Sequence, residues 1–122
     1  MSELVLPWPS RKLHPNARLH WRAKAAATKA ARSDACLLAV AAGWSNLRFR
    51  LPEGRLHLWI DFDPPDRRKR DDDGLLAAFK AYRDGIADAL GIDDSRFISH
   101  PMLTDTKHPG GRVRVRITGG VK

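Results

Sequence analysis

The sequence has 122 residues, a formal net charge of +8 at neutral pH, and a composition that is 43% hydrophobic and 30% charged. These values predict one globular domain and exclude a disordered or fibrous chain. Cys36 is the single cysteine, which excludes an internal disulfide and the cysteine-based zinc motifs and is typical of a reducing compartment. Because no apolar run approaches the roughly 18 residues of a membrane span and no signal-peptide pattern is present, we expect a cytoplasmic protein with no membrane partner.

The first predicted elements are a short strand and a long basic helix. The strand covers residues 4–6 and is ended by two prolines, Pro7 and Pro9. Asn16 has the residue type of a helix N-cap, the alanine-rich run up to Ala42 favours helix, and Gly43 is typical of a helix end. We therefore expect a helix from about residue 16 to residue 42.

Two faces of this helix differ in character. Residues that fall within about 80° of one another on a helical wheel form a basic stripe, namely Arg18, Arg22, Ala25, Lys29 and Arg32. Such a stripe is as typical of a solvated helix face as of one that contacts phosphate groups. The residues expected to supply most of the packed face are Leu19, Ala23, Ala26, Ala30, Leu37, Leu38 and Ala41.

Alternating apolar and polar residues predict the remaining strands. Residues 55–62 alternate in this way after a Pro-Glu-Gly turn, and residues 48–51 stand before that turn as the other arm of a hairpin. Residues 97–104 and 112–118 are predicted to form a second hairpin around a loop rich in proline and glycine. In its second strand, Val113, Val115 and Ile117 are expected to point inward and three arginines outward.

A second helix is predicted from residue 72 or 73 to residue 90, and it ends at Gly91. Apolar residues recur at three- and four-residue steps and form its buried face, namely Leu75, Leu76, Phe79, Tyr82, Ile86, Ala89 and Leu90. The other side carries Asp73, Ala77, Lys80, Asp84 and Asp88. Lys80 is rotated only about 20° from Asp73 and should lean toward it, since helical side chains tilt toward the helix N-terminus. Together these elements predict a single α+β domain, residues 1–122, in which a mixed β-sheet packs against two main helices.

The net charge hides an uneven distribution. Residues 61–94 hold ten of the 14 acidic residues and six basic ones, a local charge of −4, and the flanks carry +12. The basic flanks favour an anionic polymer such as nucleic acid as partner. An acidic centre within such a protein is one way to build a metal site that acts on phosphates, although it is also compatible with ordinary surface patterning.

Three consecutive aspartates, Asp71, Asp72 and Asp73, stand where a basic loop meets the second helix. One aspartate there is explained by helix capping, but three repel one another unless a cation neutralises them. Carboxylate oxygens are the ligands that Mg²⁺ prefers, so the run is about as typical of a metal site as of a cap. A second acidic pair, Asp93 and Asp94, leaves the same helix, and alone it is more typical of a turn.

The basic run before the second helix and Lys80 each have two interpretations, and the histidines and glycine pairs match no known motif. The run Arg67, Arg68, Lys69 and Arg70 is either a solvated loop or a clamp for a phosphate backbone. Lys80 is either a surface lysine paired with Asp84 or a group that neutralises charge on a phosphoryl group. The five histidines show no metal-ligand spacing. The glycine pairs lack the following Lys-Ser/Thr of a phosphate loop, so no nucleotide cofactor is expected.

Several motifs in sequence order resemble the RusA family of Holliday-junction resolvases, especially members carried by bacteriophages and prophages. They are Leu-Pro-Trp-Pro at 6–9, Pro-Asp-Arg-Arg-Lys-Arg-Asp-Asp-Asp at 65–73, Leu-Gly-Ile-Asp-Asp at 90–94 and Gly-Gly-Arg at 110–112. The resemblance implies a homodimeric endodeoxyribonuclease that cuts four-way DNA junctions symmetrically during recombination and repair, in the cytoplasm of a bacterial host cell. It also implies Mg²⁺ as cofactor, with Mn²⁺ as a substitute, held by Asp71, Asp73 and Asp94.

The resemblance also shows two departures. The family pattern Asp-x-Asp-Asn has Gly74 in place of Asn, and the lysine four residues after the second Asp is here Ala77. Lys80 stands one turn later on the same stripe and is the candidate replacement, so the expected catalytic residues are Asp71, Asp73, Asp94 and Lys80. The residues expected to contact DNA are Arg67, Arg68, Lys69, Arg70, Arg18, Arg22, Lys29 and Lys107.

Two other hypotheses remain open on the sequence. One is a non-catalytic protein that binds junctions or other DNA, a degenerate resolvase or a regulator, in which the acids serve only as caps. The other is a nuclease of the PD-(D/E)xK type, which would use Pro65-Asp66 and Asp105-Thr106-Lys107. The second hypothesis leaves the run of three aspartates unexplained.

Overall fold

A four-stranded mixed sheet packs against two helices in this computed structural model, which describes residues 3–15, 17–18, 20–68, 70 and 72–121. The strands are β1 (Leu4–Pro7), β2 (Arg55–Asp63), β3 (Phe97–Leu103) and β4 (Arg112–Val121). The helices are α1 (Trp21–Ala41) and α2 (Asp72–Leu90). The expected fold, a single α+β domain with a mixed sheet and two main helices, is confirmed. None of the helices in the described ranges is both long and apolar enough to cross a membrane.

The strand order in the sheet is β1-β4-β2-β3. Neither of the two predicted hairpins is present in this order. β2 lies between β3 and β4, parallel to the first and antiparallel to the second, so the predicted hairpin of β3 with β4 is wrong. The expected first hairpin is also wrong. Its first arm was predicted at residues 48–51, but residues 44–49 form a 3₁₀ helix. A parallel pair needs a crossover connection, and α2 is that connection between β2 and β3.

The core confirms the predicted inner faces of the sheet and of α2. Alternate residues of β2, from Leu56 to Phe62, are fully buried, and Val113, Val115 and Ile117 of β4 lie beside them. From α2, Phe79, Tyr82 and Ile86 pack into the same cluster. Large apolar side chains at helical spacing therefore decide which side of α2 faces the sheet, and its polar side is left for other contacts.

Helix α1 begins later than the sequence suggests. The side chain of His20 accepts a hydrogen bond from the backbone N–H of Arg22 at 3.2 Å and caps the helix, whereas the predicted cap, Asn16, lies outside the described residues. Arg18 therefore precedes α1 and is not part of a helical stripe. The predicted end is confirmed, because Gly43 follows the helix with φ of +84°.

The packed face of α1 also differs from the prediction. Its buried residues are Ala31, Ala35 and Ala39, whereas Leu37 is 64% exposed. The physical reason is the close approach of α1 to α2 at Gly85, where an added Cβ would lie 2.2 Å from the carbonyl oxygen of Arg32. Leucines in this seam would hold the two backbones apart, so the alanines face α2.

This close contact predicts that Gly85→Ala lowers the free energy of unfolding by about 2 kcal/mol or more, since the added methyl meets backbone rather than a flexible side chain. Urea denaturation at neutral pH measures the effect. Gly119→Ala is the matched control, because its Cβ would lie 3.5 Å from Pro52 Cγ in ordinary contact. Equal stability of the two variants would contradict the account of the helix seam.

Candidate functional site

Arg83 on α2 holds the loop that follows the helix. Its guanidinium Nη2 donates to the backbone carbonyl oxygens of Asp94 at 2.7 Å and Phe97 at 3.1 Å, and Nη1 donates to Ser99 Oγ at 3.0 Å. The Arg83 side chain is mostly buried. These bonds fix the start of β3 against the middle of α2 and so determine where the Asp94 side chain lies. Arg83 was not predicted from the sequence as a residue of the site.

Lys80 and Asp94 form an ion pair on the polar side of α2. The Lys80 ammonium donates to Asp94 Oδ2 at 2.6 Å and to Asp84 Oδ1 at 2.7 Å. These hydrogen bonds raise the pKa of Lys80, first through Asp84 and then through Asp94. The same lysine, with the Arg83 charge nearby, holds the pKa of Asp94 below its ordinary value. The expected lean of Lys80 toward Asp73 is thus replaced by contacts with two other carboxylates.

Asp73 lies at the N-terminal end of the same side of α2. It lines a cavity of about 430 Å³ together with Leu76, Ala77, Phe79, Lys80 and Arg83. Ala77 occupies the position of the lysine in the family pattern, and it opens into the same cavity as Lys80. Asp73 and Lys80 thus line one cavity, and Asp94 contacts Lys80 from the loop after α2.

The expected three-carboxylate metal site is only partly described. Asp71 lies outside the described residues, and among the others no group of three His, Cys, Asp or Glu side chains is arranged to hold a metal ion. The donor chemistry of Asp73 and Asp94 fits a hard cation such as Mg²⁺, because both supply carboxylate oxygens beside open cavities. Lys80 already neutralises Asp94, so an ion there would compete with the ammonium.

Helix α1 contributes positive charge next to Lys80. Lys24 and Thr28 line a cavity of about 240 Å³ with Lys80 and Asp84. Further along the helices, Arg32 forms a two-bond ion pair with Asp88, at 2.6 and 2.8 Å. The predicted stripe on α1 missed Lys24, because it lies between the buried and the exposed faces of the helix.

The basic loop before α2 forms a second positive surface. Arg67, Arg68 and Arg70 line a cavity of about 380 Å³ together with Lys107 from the loop before β4. Arg70 is engaged inside the loop, because it donates to Asp66 Oδ1 at 2.7 Å and its guanidinium lies 5.3 Å from the ring centre of Trp8. Arg67, Arg68 and Lys107 are exposed, and Lys69 lies outside the described residues.

The other residues expected to contact DNA are Arg18, Arg22 and Lys29, and all three are exposed. Arg22 and Lys29 lie on α1, whereas Arg18 lies in the segment before it. No contact with DNA is part of the structure, so these assignments stay predictions.

Asp63 anchors the strands beneath the basic loop. Its buried carboxylate accepts hydrogen bonds from Arg112 Nε and Arg114 Nε, both at 2.7 Å, and from Thr104 Oγ1 at 2.5 Å. Burial alone would raise the pKa of Asp63, but the bonds from Arg114, Thr104 and Arg112 outweigh it and hold the pKa at about 2. Asp63 therefore joins the end of β2 to the segments before and within β4. Nothing in the sequence distinguishes Asp63 from the other nine acids of residues 61–94.

Comparison with known proteins found a relative that matches nearly the whole chain. A protein of Xylella fastidiosa (strain Temecula1 / ATCC 700964), described as uncharacterized, is 56% identical over 119 residues, which cover 98% of this chain and 77% of the relative. The chain belongs to the family of that protein. No protein-family model matches the chain. The membership thus carries no activity with it, and the functional assignment depends on the residues of the site.

The Asp63 network predicts a pH-dependent stability. Because the pKa of Asp63 is about 2 in the folded protein and about 3.9 in an unfolded chain, its stabilising contribution is fully present above about pH 4 and is lost as the pH falls toward 2. Asp63→Asn is expected to lower the free energy of unfolding at pH 7 by about 3 kcal/mol, since two arginines lose their charged acceptor.

Urea unfolding between pH 2 and 7 measures this difference, which should shrink at the acidic end of the range. Asp105→Asn, at an exposed position, is the control and should change stability by less than about 0.5 kcal/mol. A pH-independent difference, or no difference at pH 7, would rule out the assigned role of Asp63.

Proposed function

We propose that this protein is a Mg²⁺-dependent, structure-specific endodeoxyribonuclease that resolves four-way DNA junctions, as its resemblance to the RusA family suggests. The observation that supports the proposal most strongly is the position of Lys80. It is paired with Asp94, and it lines one cavity with Asp73 and with Ala77, the place of the lysine in the family pattern. Lys80, which contacts one expected metal ligand and lines a cavity with another, is therefore the candidate replacement for that lysine.

The basic surfaces fit DNA as the substrate. The loop residues Arg67 and Arg68 lie shortly before Asp73 in the chain, and Arg22 and Lys29 are exposed on the helix that packs against α2. Exposed Lys and Arg side chains bind the phosphate backbone without reading sequence. This distribution suits a protein that recognises the shape of a DNA branch and places its backbone beside the acids.

In the proposed mechanism, Asp73 and Asp94, with Asp71, would hold the ion. When bound, Mg²⁺ supplies activation of water for in-line attack on a phosphodiester and stabilisation of the departing 3′ oxygen. Lys80 stays protonated beside Asp84 and Asp94. Its ammonium, released from Asp94 when that carboxylate holds the ion, would neutralise charge on the phosphoryl oxygens. Arg83 keeps Asp94 in place through bonds to the backbone. A homodimer would supply two such sites around a two-fold axis, which suits paired nicks on a two-fold-symmetric junction.

The first test concerns the acids. Asp73→Asn and Asp94→Asn are expected to lower the rate of junction cleavage by about 100-fold or more, because each removes one ionised ligand, while the affinity for a labelled junction is retained. Single-turnover cleavage and gel-shift titration measure the two quantities. Asp88→Asn is the matched control on the same helix, since Asp88 pairs with Arg32. Mg²⁺-dependent nicking by Asp73→Asn at the wild-type rate would refute the assignment.

The second test separates the two kinds of cation. Lys80→Ala is expected to lower the single-turnover rate sharply with little loss of affinity, because Lys80 lies among the acids. Lys29→Ala is expected to weaken binding, and to reduce the slope of log affinity against log salt by about 1, without changing the rate at saturating protein. If Lys80→Ala cleaves as fast as wild type, Lys80 is a surface lysine paired with Asp84.

A non-catalytic junction-binding protein is the second candidate function. The ion pair between Lys80 and Asp94 favours it, because the pair neutralises an expected metal ligand without any ion. Gly74 and Ala77 also stand where the family pattern has Asn and Lys. This candidate predicts junction binding that is unaffected by Mg²⁺ and no nicks at any Mg²⁺ concentration.

A further inference from the structure

Two histidines meet on the outer face of the sheet, opposite the helices. His57 of β2 and His100 of β3 are 43 residues apart in the chain, but His57 Nδ1 lies 2.7 Å from His100 Nε2. Their ring centres are 4.9 Å apart. The two parallel strands pair Trp59 with His100, so the imidazoles come from diagonal positions of the ladder. A search for short-range ligand spacing could not find this pair.

Trp59 holds both rings in place. Its indole Nε1 donates to Thr118 Oγ1 of β4 at 2.7 Å, which fixes the indole across the sheet. The indole stacks on the His100 ring with 4.2 Å between ring centres and 18° between planes, and it lies 5.8 Å from the His57 ring. Both histidines are half-buried. The two nitrogen atoms therefore face each other in a prearranged geometry, which lowers the cost of ordering them around a ligand.

We propose that His57 and His100 form a two-histidine chelate for a divalent transition-metal ion, of the Cu²⁺ or Ni²⁺ class. At a metal–nitrogen distance of about 2.0 Å, two ligands at 90° lie about 2.8 Å apart, whereas tetrahedral ligands lie about 3.3 Å apart. The observed 2.7 Å matches the N–N spacing of the 90° arrangement, and each ring would turn from the hydrogen-bond line so that its lone pair points at the ion. Tetragonal Cu²⁺ and Ni²⁺ use that angle, and water would fill the other coordination positions.

Binding needs a change of tautomer in one ring as well as this turn of the imidazoles. In the hydrogen-bonded pair, one of the two facing nitrogens carries hydrogen and the other accepts it. When the ion binds, that hydrogen leaves the facing nitrogen and the other nitrogen of the same ring carries one, so each imidazole stays neutral. Imidazole nitrogen binds Cu²⁺ and Ni²⁺ well and Mg²⁺ poorly. This site therefore differs in chemistry from the carboxylates on α2, and it does not depend on the proposed nuclease activity.

Isothermal titration of the untagged full chain with NiCl₂ tests the site. One Ni²⁺ per chain is expected, and His57→Gln and His100→Gln should each weaken binding by at least about tenfold, because each leaves a single imidazole. His20→Asn is the matched control: His20 stacks on a tryptophan, 5.7 Å between ring centres, and asparagine can still cap α1. Its affinity should equal that of the wild type.

Two further measurements keep the test decisive. Saturating Ni²⁺ should raise the Tm of the wild type and of His20→Asn but not of either glutamine variant, whose unliganded Tm also reports whether it folds. Adding Mg²⁺ in large excess should leave the Ni²⁺ affinity unchanged. The proposal is overturned by wild-type affinity in both glutamine variants, by no binding at about 1 mM Ni²⁺, or by displacement with Mg²⁺, which would place the ion on the carboxylates.

Discussion

The bonds from Arg83 to the backbone of the loop after α2 are the constraint on which the candidate site depends. By donating to the carbonyl oxygens of Asp94 and Phe97, this one side chain sets the end of α2 against the start of β3. The Asp94 carboxylate is thereby carried back to the middle of the helix, within 2.6 Å of Lys80. Without that return, Asp94 would be a turn residue without its ion pair to Lys80.

The structure also gives the uneven charge a spatial meaning. Acidic and basic residues do not form two separate regions of the structure. Lys80 and Arg83 lie among the acids near α2, and Asp63 forms ion pairs with Arg112 and Arg114. These acids thus hold cationic side chains in defined places through ion pairs. Exposed cations such as Arg67 and Lys29 are placed to meet an external anion.

Features that depend on residues close together in the sequence could be predicted, and features that depend on distant residues could not. The bounds and buried face of α2 and the inner faces of β2 and β4 were predictable, because large apolar residues recur there at the periods of helix and strand. The packed face of α1 was not, since a helix rich in alanine carries little periodic signal and Gly85 of another helix decides the contact. Three features could not be predicted, because each depends on segments far apart in the chain: the strand order, the position of Asp94, and the pairing of His57 with His100.

The most direct test of the central claim is the cleavage of an end-labelled four-way junction by the wild-type protein, with linear duplex of the same sequence as comparison. The account predicts paired nicks, symmetric about the branch point, that require Mg²⁺ or Mn²⁺ and are absent on the duplex. A junction that is bound but stays intact across the whole range of metal concentrations would contradict it.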